Sequence, residues 1–201
     1  MILLASALAG PPDGWCDLAT LDNVVLDVRY ATPNNFVGRV LDGYAAPGAW
    51  LREVPCAGLA KSAAAAKARG FQLVVLDAYR PERASRDMVA WAEASGNTSL
   101  LRDGYVAAKS GHNKGHTIDL TLGTESGPID MGTPYDSFEE AAHTANATGA
   151  VAENRKALLD VMSAGDFRNY AKEWWHFSHR SGPYEPIDVP YEPAGVAPTE
   201  H

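Results

Sequence analysis

Residues 110–122 read SGHNKGHTIDLTL, and residues 173–176 read EWWH. Together the two stretches contain three side chains that can bind a borderline metal ion: His112, Asp119 and His176. Glu173 adds a carboxylate three residues before the last histidine. A hydrolytic zinc site needs three protein ligands, a fourth position for water and a carboxylate that accepts a proton. The two stretches therefore form a candidate metal site.

The second half of the first stretch alternates between polar and apolar side chains, as a β-strand does when its two faces differ. The polar positions are Thr117, Asp119 and Thr121, and the apolar ones are Ile118, Leu120 and Leu122. Gly115 precedes them and marks a bend. We therefore expect a half-buried strand over residues 117–122 with its polar face in a cleft, and His112 on a loop that folds back toward Asp119.

Residues 173–177, EWWHF, form a strongly apolar, strand-like run. Burying a glutamate or a histidine unpaired in such a run costs several kcal/mol, so both need a metal ion, an ion pair or solvent. Residues i and i+3 point to opposite faces of an ideal strand. Glu173 and His176 can therefore serve one site only if the chain turns at Glu173.

His112 and His116 offer a rival ligand pair, because residues i and i+4 lie on one face of a helix. Gly115 and the β-branched Thr117 argue against a helix here. We therefore predict that His116 lines the cleft or faces solvent.

Hydrophobic patterning predicts four strands, at residues 24–30, 72–79, 117–122 and 173–178. Helical periodicity with proline and glycine signals predicts four helices, at residues 57–69, 82–94, 138–147 and 153–164. A capping box, SFEE at residues 137–140, would begin the third helix and place His143 on its surface. His179 and His201 lie in no supporting pattern.

Length and charge restrict the class of protein. A chain of 201 residues with 46% hydrophobic content can bury a full core as one domain. A formal net charge of −8 without a basic cluster argues against nucleic acid or an anionic membrane as partner. No run approaches the roughly 20 apolar residues of a membrane-spanning helix.

Two features bear on whether the protein is exported or cytoplasmic, and both are compatible with either location. Residues 1–9 are apolar and end in Ala-Leu-Ala like a signal peptide, but they are short and lack a basic region. We interpret residues 1–15 as an N-terminal extension or the remnant of a leader. Cys16 and Cys56 fit one disulfide in an exported protein and equally two free thiols in a cytoplasmic one.

Five ordered segments between residues 27 and 191 carry a resemblance to a known family: DVRYATPNNFVGR (27–39), DAYRPERA (77–84), GYVAAKSGHNKGHTIDLTL (104–122), DMGTPYD (130–136) and EWWHF (173–177). Through them the chain resembles the bacterial zinc D-Ala-D-Ala peptidases, in particular dipeptidases of the VanX type. Single strands between helices would suggest a parallel sheet. The resemblance implies instead an α+β fold, with a small, mainly antiparallel sheet flanked by helices as in Hedgehog and D,D-peptidase domains. We expect one domain over residues 1–201, with a flexible tail at 192–201.

The resemblance also implies a role for each site residue. The three implied ligands of one zinc ion per chain are His112, Asp119 and His176. Glu173 would be the general base and later the general acid. Arg80, at the end of a buried strand, would stabilise the oxyanion, with Asp77 as its orienting partner. The residues implied to hold the ammonium group of a small dipeptide are Tyr30, Ser110 and Asp136.

The chain differs from the family at two positions around the first ligands, where the family pattern reads SxHxxGxAxD. Thr117 replaces the alanine and should narrow the cleft slightly without touching a ligand. The bulky His116 replaces a small residue at the mouth of the pocket. On residue type alone, Arg80 would be a solvated turn residue, Tyr30 a core aromatic and Asp136 a turn residue.

Three functions follow as expectations. The first is hydrolysis of D-Ala-D-Ala, in cell-wall dipeptide turnover or in glycopeptide resistance. The second is a D,D- or L,D-carboxypeptidase acting on peptidoglycan stem peptides, although relatives of that type tend to carry EPWH where this chain has EWWH. The third is a non-catalytic zinc-binding domain, against which Glu173 and Arg80 speak. The sequence fixes neither the oligomeric state nor the choice between a periplasmic or exported and a cytoplasmic location.

Overall fold

The fold is built on a six-stranded sheet in a computed structural model that describes residues 9–194. The strands of the chain are β1 (Trp15–Asp17), β2 (Val24–Leu26), β3 (Trp50–Arg52), β4 (Gln72–Asp77), β5 (Thr117–Thr124), β6 (Gly127–Pro128), β7 (Phe167–Asn169) and β8 (His176–His179). The large sheet has the order β2-β4-β5-β8-β7, with β6 paired to β5, and β1 pairs with β3 in a separate ribbon. β2 and β4 run parallel and the remaining neighbours antiparallel. The expected mainly antiparallel α+β fold is confirmed.

Four helices accompany the sheet: α1 (Glu53–Ala68), α2 (Glu82–Ala94), α3 (Ser99–Arg102) and α4 (Gly149–Ser163). The apolar side chains of β5 are fully buried in one cluster with residues of α1 and α4, among them Leu59, Ala63, Leu158 and Met162. This apolar packing leaves the opposite side of the sheet for polar groups. None of the helices in the described part of the chain is long and apolar enough to cross a membrane.

The pairing of the strands places two aspartates and one histidine side by side across the sheet. Asp77 on β4 is paired with Asp119 on β5, and Asp119 is in turn paired with His176 on β8. Neighbouring strands in a sheet lie about 4.8 Å apart, and paired residues project to the same face. The antiparallel sheet therefore brings together residues that lie far apart in the chain.

Several predicted elements have other bounds. The strand predicted at 24–30 ends at Leu26 and is followed by a 3₁₀ turn, Arg29–Ala31, and the one predicted at 72–79 ends at Asp77. The prediction that β5 is half-buried was wrong, because its residues are buried on both faces of the strand. The predicted helices at 57–69 and 153–164 begin earlier, as α1 and α4, whereas the prediction at 82–94 is confirmed.

The helix predicted at 138–147 was wrong. The segment contains one 3₁₀ turn, Glu140–Ala142, and Ser137 donates to the carboxylate of Glu139 instead of capping a helix. The buried guanidinium of Arg155 donates to the carbonyl oxygens of Met131, Ala141 and His143. Because this side chain satisfies these carbonyls, the segment keeps an irregular path and His143 does not lie on a helix.

The two ends of the described chain belong to the fold. Trp15 packs edge-on against Tyr79, so the predicted extension over residues 1–15 is too long by at least this residue. Tyr191 is fully buried, and its hydroxyl donates to the carbonyl of Tyr79. Most of the apolar N-terminal run and the last seven positions of the predicted tail, with His201, lie outside the described residues.

A disulfide joins Cys16 on β1 to Cys56 on α1 and closes a loop of 40 residues. The pairing agrees with the first of the two alternatives for the cysteines, a bond that persists in oxidising compartments. The same ribbon supports the loop before β5, because the backbone N–H of Arg52 donates to the carbonyl of Gly115.

Replacing both cysteines, Cys16→Ser with Cys56→Ser, should lower the free energy of unfolding by about 2–4 kcal/mol, because the unfolded chain regains the entropy of the open loop. Urea unfolding of the oxidised wild type and of the double variant measures the difference. Reduced wild-type protein is the control and should unfold like the variant. Equal midpoints for oxidised wild type and double variant would contradict the prediction.

Candidate active site

His112 is held by a short turn before β5. The 3₁₀ turn His112–Lys114 ends at Gly115, whose φ of +72° favours glycine. A side chain at position 115 would also collide with the ring of Trp15. The Nδ1 atom of His112 lies 2.6 Å from the carbonyl oxygen of Ala78. Because the ring N–H donates in that contact, the lone pair of Nε2 is left for a metal ion.

The three predicted ligands converge on one point. His176 Nδ1 lies 3.0 Å from Asp119 Oδ1, and His112 Nε2 lies 3.3 Å from both of these atoms. The three ligand atoms all lie within 4.8 Å of one another. Asp119 Oδ1 is buried and accepts no hydrogen bond from the described residues. A buried carboxylate oxygen without a donor, flanked by two imidazoles, fits a bound cation.

Glu173 reaches this point because the chain turns there, as the sequence required. The backbone N–H of His176 donates to the carbonyl of Glu173, and the side-chain amide of Asn169 donates to the same carbonyl. β8 begins only at His176, so Glu173 Oε2 comes within 3.4 Å of His176 Nδ1. Burial raises the pKa of Glu173 to about 7, since it outweighs the opposing effect of His176, and Asp119 adds to the rise.

Arg80 is held in place by Asp77 and Tyr30. Its Nε and Nη2 atoms donate to Asp77 Oδ2 at 2.9 and 2.7 Å, and the hydroxyl of Tyr44 donates to the other oxygen of Asp77 at 2.6 Å. The guanidinium also stacks on the ring of Tyr30, 4.9 Å from its centroid. Arg80 is only 9% exposed. The reading of Arg80 as a solvated turn residue is therefore wrong, and Asp77 orients its side chain.

The three residues implied to hold an ammonium group line the same cavity. Tyr30 donates to Asp136 Oδ1 at 3.1 Å, and the Ser110 hydroxyl accepts from the backbone N–H of His112 at 3.2 Å. Asp136 adopts a φ of +61°, which is uncommon outside glycine and frequent at functional sites. Burial, and then the nearby charge of Asp119, raise the pKa of Asp136 well above its ordinary value.

The cavity has a volume of about 350 Å³ and is lined by every predicted site residue except Asp77, which is fully buried. Its remaining wall includes five aromatic side chains: Phe36, Tyr105, Phe138, Tyr170 and Trp175. The two departures from the family pattern lie elsewhere. Thr117 does not line the cavity but shares a hydrogen bond with Ser178, so the expected narrowing was wrong. His116 lines a neighbouring depression, and burial lowers its pKa to about 4, so the ring is uncharged.

Sequence reasoning missed Tyr135. Its hydroxyl donates to Asp119 Oδ2 at 2.9 Å and lies 2.9 Å from the hydroxyl of Tyr30. No periodicity marks this residue, because it lies in an irregular segment between β6 and α4. Its place directly before Asp136 was the one available signal.

Residues 15–192 match the model of the Peptidase_M15 family, described as D-Ala-D-Ala dipeptidase. The chain is 34% identical to a D-alanyl-D-alanine dipeptidase of Streptomyces coelicolor over 189 residues, covering 84% of this chain and 94% of that protein. It is 35% identical to one of Enterococcus faecium over 176 residues, covering 79% of this chain and 87% of that protein. Among solved structures, it resembles a zinc complex of a vancomycin resistance D,D-pentapeptidase VanY mutant, with 21% identity, a TM-score of 0.43, and coverage of 67% of this chain and 75% of that one.

Proposed function

This chain belongs to the Peptidase_M15 family of D-Ala-D-Ala dipeptidases, and from that premise we propose that it hydrolyses D-Ala-D-Ala into two D-alanines with one zinc ion. The observation that carries the proposal is the convergence of His112, Asp119 and His176 beside Glu173 in the wall of one cavity. A non-catalytic domain would need neither the carboxylate nor the buried guanidinium of Arg80 at that place.

The donor set supports zinc as the metal. Two imidazole nitrogens and one carboxylate oxygen match the three-ligand sets of catalytic zinc, which leave a position open. His112, Asp119 and His176 would hold the ion. When bound, zinc supplies a Lewis acid that polarises the scissile carbonyl and lowers the pKa of water toward neutrality.

Glu173 and Arg80 would divide the work of hydrolysis. With a pKa raised by burial to about 7, Glu173 is suited to take a proton from the attacking water and to deliver it to the leaving nitrogen. Arg80, held rigid by Asp77, faces the negative charge that develops on the carbonyl oxygen. A preorganised donor of this kind does not have to reorganise during the reaction.

Asp136 gives a physical reason for a free amino terminus in the substrate. Burial makes its ionised form unfavourable, and an arriving ammonium group supplies the missing positive charge. Tyr30 and Ser110 offer further hydrogen-bond partners in the same cavity. A longer or blocked peptide brings no ammonium group to this place and leaves the carboxylate unpaired.

The zinc-loaded protein should cleave D-Ala-D-Ala and discriminate strongly against the same dipeptide with an acetylated amine. Losing one partner of a buried charged pair costs roughly 2–5 kcal/mol, which corresponds to at least about a thirtyfold fall in kcat/KM. Release of D-alanine from the two substrates in parallel measures this ratio. Zinc-free protein is the control.

Comparable rates on the free and the acetylated dipeptide would instead support a carboxypeptidase that acts on longer stem peptides. Asp136→Asn provides a matched test of the recognition step. The variant should lose most of the discrimination because the amide carries no charge for the ammonium group.

A further inference from the structure

Tyr135 is the one residue of the described chain whose side chain donates a hydrogen bond to the carboxylate of Asp119. Its hydroxyl lies 2.9 Å from Oδ2, whereas Oδ1 has no donor at all among these residues. The nearest cation on the Oδ2 side is Arg80, whose Nη2 atom lies 3.7 Å away, beyond hydrogen-bonding distance. Before any metal binds, Oδ2 of Asp119 therefore accepts a hydrogen bond whereas Oδ1 does not.

We propose that Tyr135 is a positioning residue that makes Asp119 a one-oxygen ligand, with Oδ1 left for the metal ion and Oδ2 held by the tyrosine hydroxyl. The inference rests on the proposed function, because it takes the three-ligand set as given. A carboxylate can bind zinc through one oxygen or two, and a tetrahedral site with an open position requires one. Hydrogen bonds from outside the ligand set orient metal ligands in this way.

The hydroxyl hydrogens fix the direction of this contact. Tyr135 has one hydrogen, and Asp119 Oδ2 has no other donor among the described residues, so the hydrogen of Tyr135 goes to Asp119. The hydroxyl of Tyr30 lies 2.9 Å from that of Tyr135, and its own hydrogen goes to Asp136. Each of the two neighbouring hydroxyl groups thus donates to one carboxylate, Tyr135 to the metal ligand Asp119 and Tyr30 to Asp136.

Tyr135 acts through Asp119 and not on the substrate. Its ring packs edge-on against Trp175, with centroids 5.4 Å apart, and lies beside the ring of Tyr30 at 6.1 Å. Tyr135 does not line the cavity that contains the ligands. Packing therefore fixes the hydroxyl behind the site.

Tyr135→Phe, which removes one oxygen atom, tests the proposal. We expect about 10–100-fold weaker zinc binding, measured by competition with a chelator, as for other substitutions outside the ligand set. The cobalt-substituted variant should also lose visible absorption intensity, because binding through both oxygens raises the coordination number from four to five. The matched control is Tyr184→Phe, whose hydroxyl donates to Ser181 away from the site and should leave both readouts unchanged.

The outcomes separate this inference from the proposed function. Zinc affinity within twofold of wild type together with an unchanged cobalt spectrum would overturn the role of Tyr135. Failure of the wild-type protein itself to bind zinc would overturn the proposed function instead. A crystal structure of the zinc-loaded wild type tests the same point without a substitution. Asp119 Oδ2 should lie outside the zinc bonding distance of about 2.0–2.2 Å, and bonding of both oxygens would refute the proposal.

Discussion

Glu173→Gln should lower kcat on D-Ala-D-Ala by about 10²–10⁴-fold while the protein still binds one zinc ion per chain. Glutamine has nearly the same shape as glutamate but cannot take a proton from water at neutral pH. The Glu173 carboxylate lies 3.4 Å from His176 Nδ1 and is not one of the three converging ligand atoms. The variant should therefore lose the proton-transfer step and keep the ligand set. Steady-state kinetics and metal analysis of the same preparation measure both effects.

Asp119→Ala is the control for this separation, because it should lose zinc and turnover together. Loss of zinc in Glu173→Gln would show that Glu173 is a ligand and that the ligand set is misassigned. Wild-type turnover in a zinc-bound Glu173→Gln protein would show that another group handles the proton. Zinc content thus distinguishes the base from the ligands, which activity alone cannot do.

The sequence predicts the positions of Asp119 and Glu173 because a strand, its alternation and a turn are local properties. Alternation in residues 117–122 places Asp119 on the polar face of β5, and the turn required at Glu173 is present before β8. The pairing of Asp119 with Asp77 and with His176 is not local. For those contacts the resemblance to a family supplied what periodicity cannot.

The paths of the irregular segments could not be predicted from the sequence, because residues far along the chain determine them. The carbonyls of residues 141 and 143 are satisfied by Arg155 from a helix that follows later in the chain, and no local pattern announces such a partner. Tyr135 lies in the same irregular region, where its orientation depends on Trp175 and Tyr30. Tertiary contacts override helix propensity in such a segment.

Arg80→Lys should lower kcat by about 10²–10³-fold, the typical effect of losing one oxyanion donor, with a smaller change in KM. Lysine keeps a positive charge beside Asp77, so the buried carboxylate is not left unpaired and the variant should fold. Arginine, however, pairs with Asp77 through Nε and Nη2 and still has Nη1 free of that pair. A single ammonium group on a flexible stem cannot hold Asp77 and reach the carbonyl oxygen in a fixed geometry.

The matched control for Arg80→Lys is Arg83→Lys, because Arg83 also pairs with an aspartate, Asp188, but does not line the cavity. That substitution should leave kcat and KM near the wild-type values. Because the oxyanion charge exists only in the transition state, the loss at position 80 should appear in kcat. A rise in KM with kcat unchanged would mean that Arg80 only binds the substrate, and turnover within fivefold of wild type would remove it from the catalytic machinery.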